Sequence, residues 1–473
     1  MSSFESQPRN AAALDEANSF SSDWSKITSF LILGYFVMGR TFAYLGIPPL
    51  HLFIGEIVLG SFLLFGPGTR IGQWPWKALQ NPVLGRFAKI LLLFLSFGAI
   101  QVVRGIAAGH PILNCIRDLA FNYYPIYLFL GLWVGFKRPN FLAKFFRLAA
   151  WVNGIYGVLF VLVLSRVPWS VPGVSNELTP VPFFGQPSFS AVIILGILSF
   201  EKDLRRVWPL LLMNAAVLVG MLIRAEWLAF FVGLVVWAWA TRNLKRVALS
   251  GALMLALFAL MYITNFTFEG PESRGGTISA TELVARVIAP VNPELAADYS
   301  DDVHMYEGTA AWRTMWWIEI WNSVHSSSSL AVLGHGYGFA LGDLVAYLED
   351  SATRTPHNVF FFALGYTGWS GVIIFALLQF EIARLCWRAY RKTNQAFSLV
   401  FWVTALTFSF FTPFFETPQG AIPFYLVAGC ACATLLSGKS QKSVLLGVTL
   451  SSSPRPTGSA STLPNAIGAQ RPR

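Results

Sequence analysis

Long apolar runs alternate with short polar connections along most of the chain. Most of them approach or exceed the roughly 20 apolar residues that a helix needs to cross a bilayer. Twelve runs are candidate spans: 27–46, 50–66, 88–106, 117–136, 145–165, 184–200, 207–223, 225–241, 246–264, 357–381, 396–412 and 421–437. The second and sixth runs are short, and only Arg224 separates the seventh from the eighth. The pattern predicts an all-α polytopic membrane protein with about 12 transmembrane helices.

Three polar segments flank or interrupt this pattern. Residues 1–26 and 438–473 lack apolar periodicity and have the composition of disordered tails. They flank a predicted membrane domain at 27–437. Within it, the connection 265–356 is far longer than the others, and loops of that length are usually functional or disordered. We expect short helices in it: an amphipathic one from Thr281 and, further along, a Trp-rich one lying at the lipid headgroups.

Basic residues set the predicted orientation. The chain carries a net charge of +10, with 55% hydrophobic and only 12% charged residues. Lys and Arg concentrate in alternate short loops, which the positive-inside rule assigns to the cytoplasm. They are Arg70, Lys77, Arg86 and Lys89; Lys137, Arg138, Lys144 and Arg147; Lys202, Arg205 and Arg206; Arg242, Lys245 and Arg246; and Arg384, Arg388, Arg391 and Lys392. Both termini are therefore expected in the cytoplasm and 265–356 outside, and the positive charge indicates orientation and not nucleic-acid binding.

His357 stands in the segment RTPHN, directly before an aromatic run that predicts a helix on the outer side. The amino end of a helix favours the neutral imidazole, which is the form that accepts a proton. His357 is therefore a candidate general base. The alternative is a histidine that only caps the helix or anchors it at the membrane surface, and the sequence does not separate the two.

Two arginines are candidate ligands for anionic oxygens. Arg224 lies where two apolar runs meet on the predicted outer side, and a charge there is costly unless it is used or paired. Glu226 is its structural alternative partner. Arg313 lies among tryptophans, where a guanidinium either clamps phosphate oxygens with two hydrogen bonds or packs on the rings with its head toward lipid phosphate.

Three further residues are secondary candidates. His335 lies in the sequence GHGYG, which predicts a tight turn where the backbone approaches a site. No strand precedes this run, so a nucleotide-binding loop is not indicated. Arg117 and Asp118 lie near the outer start of the fourth apolar run, as site residues or as an ionic contact between helices.

Four motifs in this order resemble the O-antigen ligase and O-antigen polymerase superfamily. They are GMLIRAEWLAFFVGL with Arg224, WRTMWWIEIW with Arg313, LGHGYGF with His335, and TPHNVFFFALGYTGWSG with His357. The resemblance covers the membrane domain, 27–437. In the family, the arginine of the first motif is usually preceded by Ser and followed by Gly, whereas this chain has Ile223 and Ala225.

The resemblance implies a glycosyltransferase of the bacterial inner membrane with its site on the periplasmic side. Its donor is a glycan on undecaprenyl pyrophosphate, and its acceptor hydroxyl belongs to a lipid A core sugar, a growing glycan or a protein. Displacement at the anomeric carbon needs a base for that hydroxyl and cations for the departing pyrophosphate. His357 fits the first role, and Arg224 and Arg313 fit the second.

Neither a metal ion nor another cofactor is expected to be obligatory, because two guanidinium groups can supply the positive charge. Asp298, Asp301 and Asp302 leave a metal-assisted alternative open. Two other functions also remain open: a polymerase of the same superfamily, and a transporter or flippase of polyprenyl-linked sugars. Transporters usually bind at the membrane midplane, whereas the polar groups here gather on one outer side, which favours an enzyme.

Overall fold

The computed structural model describes residues 8–47, 52–65, 78–172, 181–271, 277–289, 291–300, 303–345 and 354–436. Its helices are α1 (Pro8–Ala43), α2 (Ile54–Leu64), α3 (Gly85–Ala107), α4 (Ile112–Asp118), α5 (Ala120–Tyr123), α6 (Tyr127–Lys137), α7 (Phe141–Leu162), α8 (Ser190–Phe200), α9 (Trp208–Gly220), α10 (Arg224–Thr241), α11 (Leu244–Ile263), α12 (Ala280–Ile288), α13 (Pro293–Ala297), α14 (Val303–Val324), α15 (Ser328–Leu333), α16 (Val359–Thr393), α17 (Phe397–Ser409) and α18 (Pro418–Cys432). Strand β1 (Gly46–Ile47) pairs antiparallel with β2 (Leu52–Phe53), and β3 (Phe268–Glu269) pairs antiparallel with β4 (Thr277–Ile278). The fold is all-α, as the apolar pattern predicts.

Apolar helices make up the membrane part of the molecule. Five helical stretches in the described ranges are long and apolar enough to cross a bilayer: Gly85–Ala107, Ile112–Lys137, Phe141–Leu162, Val359–Thr393 and Pro418–Leu436. Four shorter apolar helices, α2, α8, α9 and α17, accompany them. Each of the twelve apolar runs overlaps a helix. The chain is therefore a membrane-embedded helical protein, while the number of helices that cross the bilayer stays a prediction.

Part of the amino-terminal segment is helical. Helix α1 begins at Pro8, within the segment 1–26. The sequence has a physical reason for this, because Pro is tolerated in the first turn of a helix and the residues at 11–14, AAAL, are strong helix formers. The predicted carboxy-terminal tail, 438–473, lies outside the described residues.

Glycines bring two helices of the core into backbone contact. A Cβ atom on Gly131 of α6 would lie 2.1 Å from the carbonyl oxygen of Leu426, and one on Gly429 of α18 would lie 2.1 Å from that of Leu128. Gly135, one turn after Gly131, meets the Cys430 oxygen at 2.6 Å in the same way. Small residues four apart are what membrane helices use to approach closely. This contact holds α6 against α18.

The described residues of the long connection between α11 and α16 include the helices α12 to α15. Helix α12 begins at Ala280 because the Ser279 side chain accepts a hydrogen bond from the backbone N–H of Glu282, which caps the helix. The Trp-rich helix is α14, but its expected place at the headgroups is wrong for one of its tryptophans. Trp316 is fully buried and donates its indole N–H to the carbonyl of Leu341 at 2.8 Å. Burial with a satisfied indole outweighs the interfacial preference of tryptophan at this position.

Candidate functional site

His357 precedes α16, and its backbone is in an unusual conformation. Its φ angle is +55°, in the left-handed region that few residues other than glycine adopt. The cap of α16 is the next residue: the Asn358 side-chain oxygen accepts hydrogen bonds from the backbone N–H groups of Phe360 and Phe361 at 2.9 and 3.3 Å. Capping of the helix is therefore the work of Asn358, which removes this part of the structural alternative for His357.

Helix α14 packs against the segment that carries His357. The Trp317 indole N–H donates to the carbonyl of Pro356 at 2.7 Å, directly before the histidine. The ring of Trp312 meets the imidazole of His357 edge to face, with centroids 5.7 Å apart. The half-buried imidazole therefore contacts α14 at Trp312, which directly precedes Arg313 in the sequence.

Arg313 and Asn358 bind neighbouring carbonyl groups. Arg313 Nη1 donates to the Phe411 oxygen at 3.3 Å, and Asn358 Nδ2 donates to the Phe410 oxygen at 3.0 Å. Both carbonyls follow the end of α17, where the helix carries partial negative charge that attracts a guanidinium. The Arg313 guanidinium also lies 5.4 Å from the Trp312 ring centroid. The turn after α17 is thus a common support for Arg313 and for the residue beside His357.

Arg224 is the first residue of α10, after a tight turn in which Leu222 has a φ angle of +54°. Its Nη1 donates to the carbonyl of Arg286 at 3.4 Å, which joins α10 to the end of α12. Leu222 and Ile223 belong to an apolar cluster against which Phe408 of α17 packs. Arg224 therefore lies at the same end of α17 as the turn that supports Arg313 and Asn358.

Glu226 has a structural role of its own. Its side chain is buried, and Oε1 accepts a hydrogen bond from the backbone N–H of Ala191 at 3.1 Å. Ala191 lies in the first turn of α8, where a carboxylate satisfies a helix amide and interacts favourably with the helix dipole. Glu226 thus supports the start of α8 close to the start of α10.

The glycine turn after α15 fills a break in α16. Gly368 has a φ angle of +62° inside α16, and this break frees the carbonyls of Gly365 and Tyr366 from their helical partners. The N–H of His335 donates to the Gly365 oxygen at 3.0 Å, and the N–H of Gly336 donates to the Tyr366 oxygen at 2.9 Å. The turn therefore completes the hydrogen bonding of the broken helix.

The His335 side chain packs against two residues of the same long connection. Its Nε2 lies 2.9 Å from the Ser323 hydroxyl, and its ring stacks on Phe339 with centroids 4.1 Å apart. Burial, with the nearby positive charges of His110 and Arg104, lowers the pKa of His335. These contacts give His335 a packing role in the turn.

Asp118 and Arg117 separate, although they are adjacent in sequence. Arg117 is exposed, whereas Asp118 is buried. Asp118 Oδ2 accepts hydrogen bonds from the backbone N–H of Gly338 at 2.9 Å and from Arg354 Nη2 at 3.2 Å. Arg354 lies three residues before His357, so this ion pair fixes the segment that leads to the histidine.

Sequence reasoning missed two charged residues near these elements. The sequence could have indicated Arg354, because it stands in RTPHN, the same segment that contains the candidate base His357. Glu416 had a weaker one, a single carboxylate in the aromatic connection FFTPFFETP. The Glu416 side chain is buried among phenylalanines after α17, and its Oε2 accepts a hydrogen bond from the Phe414 N–H at 3.1 Å.

No cluster of three or more His, Cys, Asp or Glu side chains that could hold a metal ion occurs in the parts of the chain that the structure describes. Asp298 lies within these parts, after α13, while Asp301 and Asp302 lie outside them. Comparison with protein-family models and with curated protein sequences gave no match to this chain.

Proposed function

We propose that the protein is a membrane glycosyltransferase of the O-antigen ligase type, acting at the outer side of a bacterial inner membrane. Its donor is a glycan on undecaprenyl pyrophosphate, and its acceptor is a hydroxyl of a lipid A core, glycan or protein. The observation that supports this most directly is that Arg313 and Asn358 bind adjacent carbonyl groups after α17. Arg224 directly follows Leu222 and Ile223, which belong to the apolar cluster on which Phe408 of α17 packs. Imidazole and guanidinium groups together suit displacement of a pyrophosphate by a hydroxyl.

The proposed reaction is one displacement at the anomeric carbon of the donor glycan. His357 accepts the proton of the acceptor hydroxyl as its oxygen forms the new glycosidic bond. The bond from the anomeric carbon to the pyrophosphate oxygen breaks, and its electron pair leaves with undecaprenyl pyrophosphate. Arg224 and Arg313 stabilise the negative charge that develops on that leaving group.

The surroundings of these residues agree with such roles. His357 precedes the cap residue Asn358 and so lies outside α16, with a positive φ angle. Residues held in such strained conformations cluster at functional sites. Arg313 Nη1 donates to the Phe411 carbonyl, which holds the guanidinium next to the carbonyl that Asn358 binds.

Loss of the gene in its host tests the assignment. A ligase mutant should make lipopolysaccharide or surface glycan without long chains and should accumulate polymer on undecaprenyl pyrophosphate outside the membrane. Single repeat units on the acceptor would instead indicate a polymerase. Lipid-linked sugars trapped on the cytoplasmic side would indicate a flippase and would contradict the glycosyltransferase proposal.

A further inference from the structure

The turn between α17 and α18 contains a buried carboxyl group that the proposed reaction does not use. Glu416 is 8% exposed, and its neighbours Phe414 and Phe415 are 2% and 0% exposed. One carboxyl oxygen accepts the hydrogen bond from the Phe414 N–H. The other, Oε1, is buried with no hydrogen-bond partner among the described residues. A carboxyl in such surroundings costs much less free energy when it is neutral than when it is ionised.

The same turn presents the carbonyl groups that support the candidate site. Phe410 O binds Asn358, and Phe411 O binds Arg313. Glu416 lies five residues after Phe411 in the same turn, and its Oε2 accepts the hydrogen bond from the Phe414 N–H. We propose that Glu416 is a positioning residue, which fixes this turn and thereby orients Arg313 and the cap beside His357. Its link to catalysis rests on the proposed function, whereas its link to the geometry of α16 does not.

The ionisation of Glu416 provides a way to perturb the turn. Burial raises the pKa of Glu416 to about 8, and the backbone N–H groups of Glu416, Phe414 and Phe415 oppose that rise. The charged or titratable groups around the turn include Arg313, which binds Phe411, and Tyr425, whose ring lies beside Phe415. Glu226 lies at the start of α8, where Phe189 packs on Phe414.

The sign of the effect on stability follows from the direction of this shift. The folded protein binds the Glu416 proton more tightly than the unfolded chain does. The stabilisation is complete below the ordinary glutamate pKa of about 4.3 and is lost as the pH rises through the folded value near 8. Above that pH the ionised carboxylate disfavours the buried turn.

Hydrogen exchange on the full protein in lipid nanodiscs tests the inference without relying on activity. The amides of Phe360 and Phe361, which Asn358 caps, should differ less in exchange rate between wild type and Glu416→Gln at pH 6.5 than at pH 9. At pH 9 they should exchange several-fold faster in wild type than in Glu416→Gln. The reason is that the Glu416 carboxyl is then ionised, whereas the glutamine carboxamide stays neutral. Equal exchange of the two proteins at both pH values would overturn the positioning role.

Two additions keep the result interpretable. If Glu416→Gln does not fold, wild type alone is measured with the first turn of α15 as reference, since Ser327 caps that turn and α15 contains no ionisable residue. A constant ratio of α16 to α15 exchange from pH 6.5 to 9 would then overturn the inference. Glycan transfer by the same proteins is measured in parallel. If the exchange difference appears but wild type transfers no glycan, the proposed function is refuted and the positioning role of Glu416 stands.

Discussion

At the scale of single residues, the candidate site depends on a division of work between His357 and Asn358. An asparagine cap satisfies two amides of α16 and holds the Phe410 carbonyl. A histidine at positive φ costs roughly 1 kcal/mol or more relative to an ordinary conformation. The cap makes the imidazole unnecessary for helix stability at this position. The cap of α16 therefore does not account for the positive φ angle of His357.

Arg313→Lys gives a residue-scale prediction. Lysine keeps the positive charge but lacks the planar guanidinium fork that the proposed function assigns to two phosphate oxygens. We expect glycan transfer to fall about as far as in Arg313→Ala, by a factor of about 10² or more. Transfer is measured in membranes with equal amounts of protein. Arg166→Lys is the matched control, since Arg166 is an arginine of the neighbouring loop that contacts Glu269. Wild-type transfer by Arg313→Ala would remove Arg313 from the mechanism.

At the scale of elements, the break in α16 and the glycine turn form one unit. A Cβ atom on Gly368 would lie 2.6 Å from the backbone nitrogen of Gly334, and one on Gly334 would lie 2.5 Å from that of Thr367. Arg104 holds the same region from α3, with hydrogen bonds to the carbonyls of Leu333 and Gly334 at 2.6 and 3.0 Å. The turn therefore ties α3, α15 and α16 together beneath the segment that leads to His357.

Gly368→Ala should disrupt this unit. The new methyl group meets backbone that cannot move aside as a side chain can, and the φ angle of +62° disfavours alanine. We expect the free energy of unfolding in detergent to fall by on the order of 2 kcal/mol or more. Gly109→Ala is the control, because Gly109 also has a positive φ but faces open space. An equal loss in both variants would show that backbone strain alone, and not the contact with the turn, accounts for the effect.

The elements also show what the sequence can and cannot predict. Apolar runs of about 20 residues locate most helices, because burial in lipid requires that length. The start of α16 after His357 was visible from the polar-to-apolar change. The burial of Trp316 and the Asp118–Arg354 ion pair were not, because both depend on contacts between segments distant in sequence. The same holds for the common support of Arg313 and Asn358 on the turn after α17.

At the scale of the whole molecule, orientation decides whether the candidate site can meet a periplasmic acceptor. The end of α17, the start of α10 and the start of α16 lie at one end of the helical bundle. The alternation of Lys and Arg assigns that end to the outer side. The basic cluster near the end of α16, which includes Arg391 and Lys392, belongs to the opposite end.

Reporter fusions test this orientation. A fusion after Thr309 should give an active periplasmic reporter, and a fusion after Lys392 should give an active cytoplasmic one. The physical reason is that positively charged loops are retained on the cytoplasmic side. The reverse result at either position would overturn the orientation and place the candidate site on the wrong side of the membrane.

The central claim is that His357 assists glycan transfer from a lipid pyrophosphate, and reconstituted transfer tests it most directly. The purified protein is mixed with lipid-linked glycan and acceptor extracted from the deletion strain, and both the glycan product and the released undecaprenyl pyrophosphate are measured. Wild type should form both, with less activity at acid pH, where a protonated imidazole cannot accept a proton.

The decisive variant is His357→Asn, because asparagine tolerates a positive φ and preserves the backbone. It should fold normally and transfer glycan about 10²–10⁴-fold more slowly. His325→Asn, a change at an exposed histidine of the same loop, should remain close to wild type. Wild-type protein that forms no product, or folded His357→Asn protein that turns over at the wild-type rate, would contradict the account.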